Sequence, residues 1–385
     1  MRHSYLSWRA IRAVLRSLLQ IFFGRRGHRL VRGMRLFYRL RTLAVLGAGS
    51  LGGLTRRRSV RGFAGGDGAF RRIEKRIRKA RHSVVVQMFI WKDDVTGRRM
   101  ASVLLDAADR GVQVVVTKDA VGDLFEFERD FVATQHAPNP VWKRFWSHPN
   151  IRVSNRNDGD HAKVYVIDDD ILLVTGMNIG DEYRYLWRDY LVELKGKRFV
   201  RQYLAHEPCP PGGDVRLVVN DSARREIRPC LMDMLSRATE SIVLEQAYVS
   251  DAAVLSLLAE KTKAGVTVTL ILPEHPDVHH YANMDAVQRL RAESDGRRLR
   301  VLLYPTMIHG KVVVVDKREA FAGSANLFAD SLDRMGEVNV FIRGRRHPAV
   351  RRLREYLRDD AAKSRLLKGA PGRYWITRWL AWLGL

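Results

Sequence analysis

One pattern of residues occurs twice in this chain with the same internal spacing. The first copy, HAKVYVIDDDILLVTGMN, runs from His161 to Asn178, and the second, HGKVVVVDKREAFAGSAN, runs from His309 to Asn326. A carboxylate follows each copy at the same distance. The matched residues are His161, Lys163, Asp168, Asn178 and Asp189 in the first copy and His309, Lys311, Asp316, Asn326 and Glu337 in the second. This register predicts one active site assembled from the two halves of a duplicated domain.

The segments around the two motifs repeat a similar order of helices and strands. Apolar periodicity predicts helices over 70–80, 99–110, 226–238 and 252–264, and strands over 83–89, 112–116, 241–246, 266–272 and 299–303. Alternation of this kind predicts α/β layers, and the repeat of the order predicts two tandem copies of one α/β domain. We expect the first domain over 63–206 and the second over 215–348. The segment between them, 207–214, reads EPCPPGGD and is predicted to be a linker.

Basic residues dominate the N-terminal segment. The chain has a formal net charge of +25, no acidic residue precedes Asp67, and fifteen arginines lie before that position. Residues 5–23 have helical apolar spacing with arginines on the opposite face, which is typical of a helix at a membrane surface. Residues 1–62 are therefore predicted to be a basic amphipathic extension that binds an anionic membrane. Docking on the protein's own core and an organelle transit peptide are the alternatives.

The C-terminal segment 349–385 combines basic residues with Trp375, Trp379 and Trp382. Tryptophan beside arginine suits the headgroup level of a membrane, although a helix docked on the core is an equal alternative. No stretch of about 18 uncharged apolar residues predicts a spanning helix, and arginines interrupt any signal-peptide core. Cys209 and Cys230 are too few for a disulfide framework or a zinc finger, which fits a reducing compartment.

The residue types of the motif indicate the chemistry of phosphate. A histidine and a lysine two positions apart on a strand point to the same face, so both can meet one ligand. Lysines beside the histidines would repel a metal ion, so we predict no metal and no cofactor. A phosphate can instead accept hydrogen bonds from lysine and asparagine. One imidazole can attack phosphorus and the other can protonate the leaving oxygen, while Asp189 and Glu337 orient the two rings. Asp168 and Asp316 end their strands and are expected to hold backbone amides of the following turn.

The doubled pattern H-x-K-x4-D with a downstream G-x-x-N resembles the signature of the phospholipase D superfamily over roughly residues 63 to 345. The segments GMNIGDEY and WRD after the first motif, and GSANL in the second, are similar to bacterial cardiolipin synthases. Asp119 and Gly122 resemble a family loop near the site. Two departures are Thr175, where the pattern expects glycine, and the segment FADSLDRMGEVN, which bears on the identity of the acceptor.

This resemblance implies two tandem phospholipase D-like α/β/α sandwich domains related by pseudo-two-fold symmetry, and a covalent phosphohistidine mechanism without metal. It assigns His161 as nucleophile and His309 as general acid and then base, although the residues alone do not choose between the two. Charge on the five-coordinate phosphorus would be stabilised by Lys163, Lys311, Asn178 and Asn326.

Three functions are compatible with the motif. The first is a phosphatidyltransferase of the cardiolipin synthase type, which moves a phosphatidyl group from phosphatidylglycerol to a second phosphatidylglycerol. The second is a phospholipase D that hydrolyses phospholipid to phosphatidic acid, and the third is a nuclease. We favour the first, with a phospholipid substrate, no nucleic-acid partner and a peripheral or monotopic location at the bacterial inner membrane. The sequence leaves the oligomeric state open.

Overall fold

The computed structural model of the chain describes residues 60–120, 122, 140–156, 159–208 and 213–369. The amphipathic segment 5–23, the three C-terminal tryptophans and Cys209 in the predicted linker lie outside the described residues. Among the described helices, none is long and apolar enough to cross a membrane.

The described strands and helices follow one another in the alternating order that the sequence predicts. The strands are β1 (Val60–Ala64), β2 (Ser83–Met88), β3 (Gln113–Asp119), β4 (Ile151–Arg156), β5 (Lys163–Ile167), β6 (Ile171–Thr175), β7 (Tyr190–Lys195), β8 (Val215–Asn220), β9 (Ser241–Gln246), β10 (Thr267–Pro273), β11 (Leu299–Tyr304), β12 (Lys311–Val315), β13 (Glu319–Gly323), β14 (Glu337–Arg343) and β15 (Arg365–Leu366). The helices are α1 (Gly66–Arg78), α2 (Val95–Asp109), α3 (Pro140–Ser147), α4 (Lys197–Leu204), α5 (Ile227–Ser236), α6 (Ala252–Lys263), α7 (His280–Glu293), α8 (Ala329–Asp333) and α9 (Pro348–Lys363). A short π-helical turn, Glu182–Leu186, precedes β7.

Two mixed sheets form the framework, one in each half of the chain. The first has the order β1-β7-β6-β5-β2-β3-β4, and the second has the order β15-β11-β10-β9-β12-β13-β14-β8. Each contains three parallel strands, β2-β3-β4 or β9-β10-β11, joined to an antiparallel hairpin that carries a histidine motif. The predicted fold of two tandem, duplicated α/β domains is confirmed.

Three large hydrophobic cores hold these layers together in the described part of the chain. One core packs α1, α2 and α3 on the outer face of the first sheet, and another packs α5, α6 and α7 on the outer face of the second. The third core lies between the two sheets, where Val164 and Val166 of β5 join Val312 and Val314 of β12. Helix α9, which lies almost entirely in the predicted C-terminal segment 349–385, adds Leu353 and other apolar residues to this shared core and packs against β1 of the first half. Burial of this apolar surface stabilises the pairing of the halves that the site requires.

The aspartate of each motif lies in the turn of its hairpin. Asp168 and Asp316 both have positive φ, 52° and 50°, a conformation that aspartate tolerates better than most residues. The Asp168 carboxylate accepts hydrogen bonds from the backbone N–H groups of Arg81, His82 and Ser83. Asp316 does the same for residues 239–241. These aspartates do hold backbone amides, but the amides belong to the turn that precedes β2 or β9 rather than to the turn that follows the motif.

Candidate active site

The two motifs meet at one end of the paired sheets through a symmetric pair of backbone hydrogen bonds. The His161 N–H donates to the carbonyl of Gly336 at 2.8 Å, and the His309 N–H donates to the carbonyl of Arg188 at 2.7 Å. Each histidine precedes its strand, and each of these carbonyls precedes a strand of the other half. The backbone therefore brings both histidines and both carboxylates to the same end of the molecule.

The orienting carboxylates are exchanged between the halves. Nδ1 of His161 lies 3.0 Å from Oε1 of Glu337, and Nδ1 of His309 lies 2.8 Å from Oδ2 of Asp189. Each imidazole thus pairs with the carboxylate that follows the other motif. Both carboxylates are 0% exposed, whereas the His161 side chain keeps 13% of its surface accessible. Occupation of Nδ1 leaves Nε2 of each ring for chemistry.

Glu337 is held in the ionised form. The hydroxyl of Ser331 donates to Oε1 at 2.7 Å, and the hydroxyl of Ser324 donates to Oε2. Burial would raise the pKa of Glu337, but His161, Lys163 and the Ser324 hydroxyl keep it below its usual value. Burial and the Lys163 charge lower the pKa of His161 to about 4. His161 is therefore a neutral imidazole at neutral pH, and its Nδ1–H donates to Glu337.

Asp189 has a different environment from Glu337. Glycine occupies position 176, where the second half has Ser324, and a Cβ there would lie 2.8 Å from the Asp189 carboxylate. Asp189 instead accepts the backbone N–H of Tyr190 at 2.6 Å. Burial raises the pKa of Asp189 to about 7, although Lys311 opposes the shift. The Asp189–His309 pair can therefore hold one more proton near neutral pH than the Glu337–His161 pair.

The motif lysines are buried beside the histidines. Lys163 and Lys311 are 0% and 1% exposed, and each donates to the backbone carbonyl of the histidine two residues earlier. Burial lowers the pKa of Lys163 to about 7 and that of Lys311 to about 8. An anion at this site would supply the countercharge that favours both ammonium groups.

The two asparagines have different surroundings. The side-chain oxygen of Asn178 accepts the N–H of Ile90 at 3.1 Å, and its amide nitrogen donates to the Tyr183 hydroxyl at 2.9 Å. The side-chain oxygen of Asn326 is buried and has no hydrogen-bond partner among the described residues. Asn178 thus supports the backbone and Tyr183. The predicted contact of either amide with phosphate stays a prediction.

Aromatic rings complete the walls of the site. The Phe89 ring lies edge-on to His161 with centroids 4.8 Å apart, and the ammonium group of Lys163 lies 5.0 Å from the Phe89 centroid. Tyr183 and Trp187 lie 5.2 and 5.5 Å from the His309 ring. The sequence reasoning did not select these rings, although Tyr183 and Trp187 lie in the segments that carry the resemblance. These rings pack against the two imidazoles.

The weaker sequence features also lie near the site. Asp119 accepts the backbone N–H of Asp160, which precedes His161, at 2.9 Å. Gly122 packs on the backbone of Phe89, since a Cβ there would lie 1.8 Å from its carbonyl oxygen. Thr175 stands where the family pattern expects glycine, and its buried hydroxyl has two backbone partners. It donates to the Tyr190 carbonyl at 2.7 Å and accepts the Met177 N–H at 3.1 Å.

Comparison with known proteins agrees with this geometry. The model of the family described as cardiolipin synthase, phospholipase D-like domain, matches residues 73–206 and 231–361. The major cardiolipin synthase of Bacillus subtilis is 29% identical over 321 residues, which are 74% of this chain and 65% of that protein. Cardiolipin synthase A of Pseudomonas aeruginosa is 30% identical over 308 residues, which are 70% of this chain and 60% of that protein. The chain therefore spans about three fifths to two thirds of these relatives' length.

Solved structures share the fold. A phosphatidylserine synthase of Haemophilus influenzae superposes with a TM-score of 0.67 at 14% identity, covering 85% of this chain and 93% of that one. A polyphosphate kinase of Porphyromonas gingivalis superposes with a TM-score of 0.54 at 16% identity, covering 86% of this chain and 54% of that one. At these identities the likeness establishes the architecture of two joined halves.

Proposed function

The chain belongs to the family of the cardiolipin synthase, phospholipase D-like domain, and from this premise we propose that it is a membrane-associated phosphatidyltransferase of the cardiolipin synthase type. The donor is phosphatidylglycerol, the acceptor is the headgroup hydroxyl of a second phosphatidylglycerol, and the products are cardiolipin and glycerol. The observation that carries the proposal is the exchanged pairing of two imidazoles with two buried carboxylates of unequal proton affinity.

In the first step, Nε2 of His161 attacks the phosphorus of the donor. The ionised Glu337 accepts the Nδ1–H, which leaves the lone pair of His161 on Nε2 and stabilises the positive charge that develops on the ring. A nitrogen–phosphorus bond forms and the bond from phosphorus to the glycerol oxygen breaks. The ammonium groups of Lys163 and Lys311 stabilise the negative charge on the five-coordinate phosphorus.

His309 supplies the proton that the leaving oxygen requires. When Asp189 is protonated, its O–H donates to Nδ1 of His309, so that Nε2 carries a hydrogen that faces the substrate. Transfer of that hydrogen to the glycerol oxygen, with the Asp189 proton passing to Nδ1, leaves Nε2 as a base. This base then removes the proton of the acceptor hydroxyl, whose oxygen attacks phosphorus and releases His161. Protons and charges are thereby restored after each turnover.

The unequal environments of the two pairs support this assignment of roles. Ser324 and Ser331 stabilise the charge of Glu337, and no hydroxyl donor occupies the equivalent position beside Asp189, where Gly176 lies. An ionised partner suits a nucleophile, and a partner that retains a proton suits a general acid. The amino-acid sequence alone leaves the two histidines equivalent, so this distinction depends on the surroundings of the carboxylates.

The substrate is expected to enter from a bilayer, with the protein bound at the bacterial inner membrane as a peripheral or monotopic protein. The basic extension before β1 supports this location through its charge and apolar periodicity. No role for nucleic acid is proposed.

One assay with purified full-length protein in phosphatidylglycerol vesicles tests the function. Equal amounts of cardiolipin and free glycerol are expected. Phosphatidic acid with glycerol, and no cardiolipin, would identify a hydrolase instead. Absence of lipid turnover combined with cleavage of DNA in the presence of EDTA would replace the lipid substrate with nucleic acid. The His161→Ala variant is the matched control for contaminating activity.

A further inference from the structure

A buried group of side chains lies behind the His309 half-site, and no step of the proposed mechanism uses it. Oδ2 of Asp360, on helix α9, accepts hydrogen bonds from Nε of Arg188 at 2.7 Å and from the hydroxyl of Tyr190 at 3.0 Å. Glu245 of β9 lies beside them. Asp360 and Glu245 are both 0% exposed. Burying two carboxyl groups with one guanidinium group is costly unless one carboxyl is neutral, so this group calls for a function.

The group is connected to the active site through the backbone of Arg188. The carbonyl of Arg188 accepts the N–H groups of His309 at 2.7 Å and Gly310 at 3.0 Å, and the next residue is Asp189. The guanidinium group of Arg188 lies between the rings of Tyr190 and Tyr356, 5.5 and 5.6 Å from their centroids. Asp360 therefore fixes both ends of the segment that presents Asp189 to His309.

Gly310, between the motif histidine and lysine, is also in contact with this group. A Cβ at position 310 would lie 2.7 Å from Cε2 of Tyr190 and 3.0 Å from Oε1 of Glu245. The second motif therefore reads H-G-K because Tyr190 and Glu245 occupy the space that a side chain would need. The buried group is thus in direct contact with a residue of the second motif, unlike an ordinary surface ion pair.

The His161 half-site has no equivalent group among the described residues. Gln87 pairs with Val164 as Glu245 pairs with Val312, so a neutral amide takes the place of the acid, and it bonds to the Tyr203 hydroxyl. The first motif has Ala162 at the position of Gly310. Val338 follows Glu337 where Tyr190 follows Asp189. The duplication thus lost its symmetry at three matched positions behind one histidine.

We propose that Asp360, Glu245 and Tyr190, acting through Arg188, form a positioning network for the Asp189–His309 pair and make the two half-sites unequal. Asp360 is the member that forms the ion pair with Arg188, and Glu245 is the neutral one. The assignment agrees with the raised pKa of Glu245, which burial and the nearby Asp360 charge cause. Helix α9, contributed by the end of the second half, therefore controls a carboxylate of the first half.

The test uses the imidazole ¹⁵N signals of full-length protein labelled at histidine, which need no turnover and so do not depend on the proposed function. His161→Gln and His309→Gln spectra assign the two rings. The Asp360→Asn variant is expected to change the tautomer signals of His309 and to leave those of His161 in place. Asp189, Lys311, Lys163 and His161 surround His309 and are unchanged in this variant. The inference rests on the proposed function only for its second readout, the transfer rate, which should fall about tenfold or more.

Two further variants distinguish positioning from loss of fold. Glu245→Gln replaces a neutral acid with a neutral amide and recreates the Gln87 side of the duplication, so it should change the His309 signals and the rate by less than Asp360→Asn does. Tyr190→Phe removes only one hydroxyl donor to Asp360 and should move the His309 signals in the same direction as Asp360→Asn, by less. The double variant Asp360→Asn with Glu245→Gln leaves Arg188 without any carboxylate and should show the largest change.

Specific outcomes would overturn the proposal. Equal shifts of both histidines in Asp360→Asn would mean that the helix supports the whole site and gives no asymmetry. Unmoved His309 signals in Asp360→Asn and in Tyr190→Phe would mean that the network does not act on His309. A larger effect of Glu245→Gln than of Asp360→Asn would reverse the charge assignment. If the unmodified protein shows no phosphatidyl transfer but the variants show the expected ¹⁵N shifts, the proposed function is contradicted and this network is not.

Discussion

Nδ1 of His161 lies 3.0 Å from Oε1 of Glu337, a residue 176 positions later in the chain that belongs to the other half of the duplication. His309 and Asp189 form the reciprocal pair at 2.8 Å. Neither half contains a complete catalytic pair, so the site exists only where the halves meet. This explains why both copies of the motif are retained in full and why a core of apolar residues joins the two sheets.

The roles of the two pairs predict opposite responses to the leaving group. Phosphatidyl-p-nitrophenol releases an anion that needs no proton, so loss of the general acid should matter little in the first turnover. His309→Ala and Asp189→Asn should therefore retain a burst of p-nitrophenol. In His161→Ala and Glu337→Gln the rate of that burst should fall by about 10³-fold or more. Stopped-flow absorbance measures the burst, and inorganic buffer alone is the blank. A burst that survives in His161→Ala but not in His309→Ala would exchange the two roles.

The pH dependence follows from the same assignment. His161 must be neutral to attack, and its pKa is lowered to about 4, so the rate should rise as the pH increases through about 4. Asp189 must hold its proton, and its pKa is raised to about 7, so the rate should fall as the pH increases beyond about 7. Loss of charge from Lys163, whose pKa is lowered to about 7, acts in the same direction. Initial rates from pH 3 to 9 on vesicles of constant charge provide the profile.

Replacement of Asp189 tests whether its carboxyl group causes the fall of the rate at alkaline pH. Asp189→Asn removes the titrating carboxyl, so the residual rate with the natural donor should lose the part of the alkaline limb that Asp189 contributes. Glu337→Gln should keep that limb at a lower rate. An alkaline limb that is unchanged in Asp189→Asn would assign it to the lysines.

Much of this architecture could be predicted from the residues alone. The α/β alternation, the duplication and the convergence of the motifs all follow from periodicity and spacing. The exchange of carboxylates could not be predicted, because Asp189 and Glu337 stand at the same offset from their own histidines and either pairing satisfies the spacing. Only the backbone bonds from His161 to Gly336 and from His309 to Arg188 select the crossed arrangement.

The spacing of the motif also could not predict which groups surround each of the two carboxylates. Gly176 and Ser324 occupy matched positions, yet their effect on proton affinity requires the contact of each with a carboxylate in space. The start of the first domain, predicted at residue 63, also depends on a contact that the sequence does not show. The structure extends the first sheet to Val60, which pairs with Leu194, because a strand at the edge of a sheet is stabilised by a partner far along the chain.

The hairpin aspartates should affect stability rather than chemistry. Asp316 accepts the N–H groups of residues 239–241, and these donors lower its pKa. Asp316→Asn should reduce the free energy of unfolding by about 1–3 kcal/mol and leave the rate per folded molecule unchanged. Because the pKa is lowered on folding, this contribution is present above the ordinary pKa of a carboxyl and is lost as the pH falls below it. Urea denaturation measures the change.

An exposed aspartate supplies the control for that comparison. Asp330 pairs with Arg334 at the surface, so Asp330→Asn should change the free energy of unfolding by no more than about 0.5 kcal/mol. A fully folded Asp316→Asn protein that has lost its transfer activity would place Asp316 in the chemistry.

The basic extension should anchor the protein to anionic lipid. Deletion of residues 1–59, which leaves β1 intact, should release the protein from phosphatidylglycerol vesicles and make the remaining binding less sensitive to salt. Sedimentation with vesicles at low and high salt measures this, and zwitterionic vesicles are the control. Binding that is unchanged after the deletion would place the anchor elsewhere in the chain.

The most direct test of the shared site is the position of the covalent intermediate. Phosphatidylglycerol labelled with ³²P at its phosphate is mixed with the enzyme, quenched within one turnover and digested with trypsin at alkaline pH, where a phosphohistidine survives. The tryptic peptides 157–163 and 301–311 each contain one motif histidine, His161 or His309. We predict label in the first peptide alone, and none in the His161→Ala or Glu337→Gln proteins. Label in the second peptide would exchange the roles of the two histidines, and label that persists in the Glu337→Gln protein would contradict the crossed catalytic pairing of His161 with Glu337.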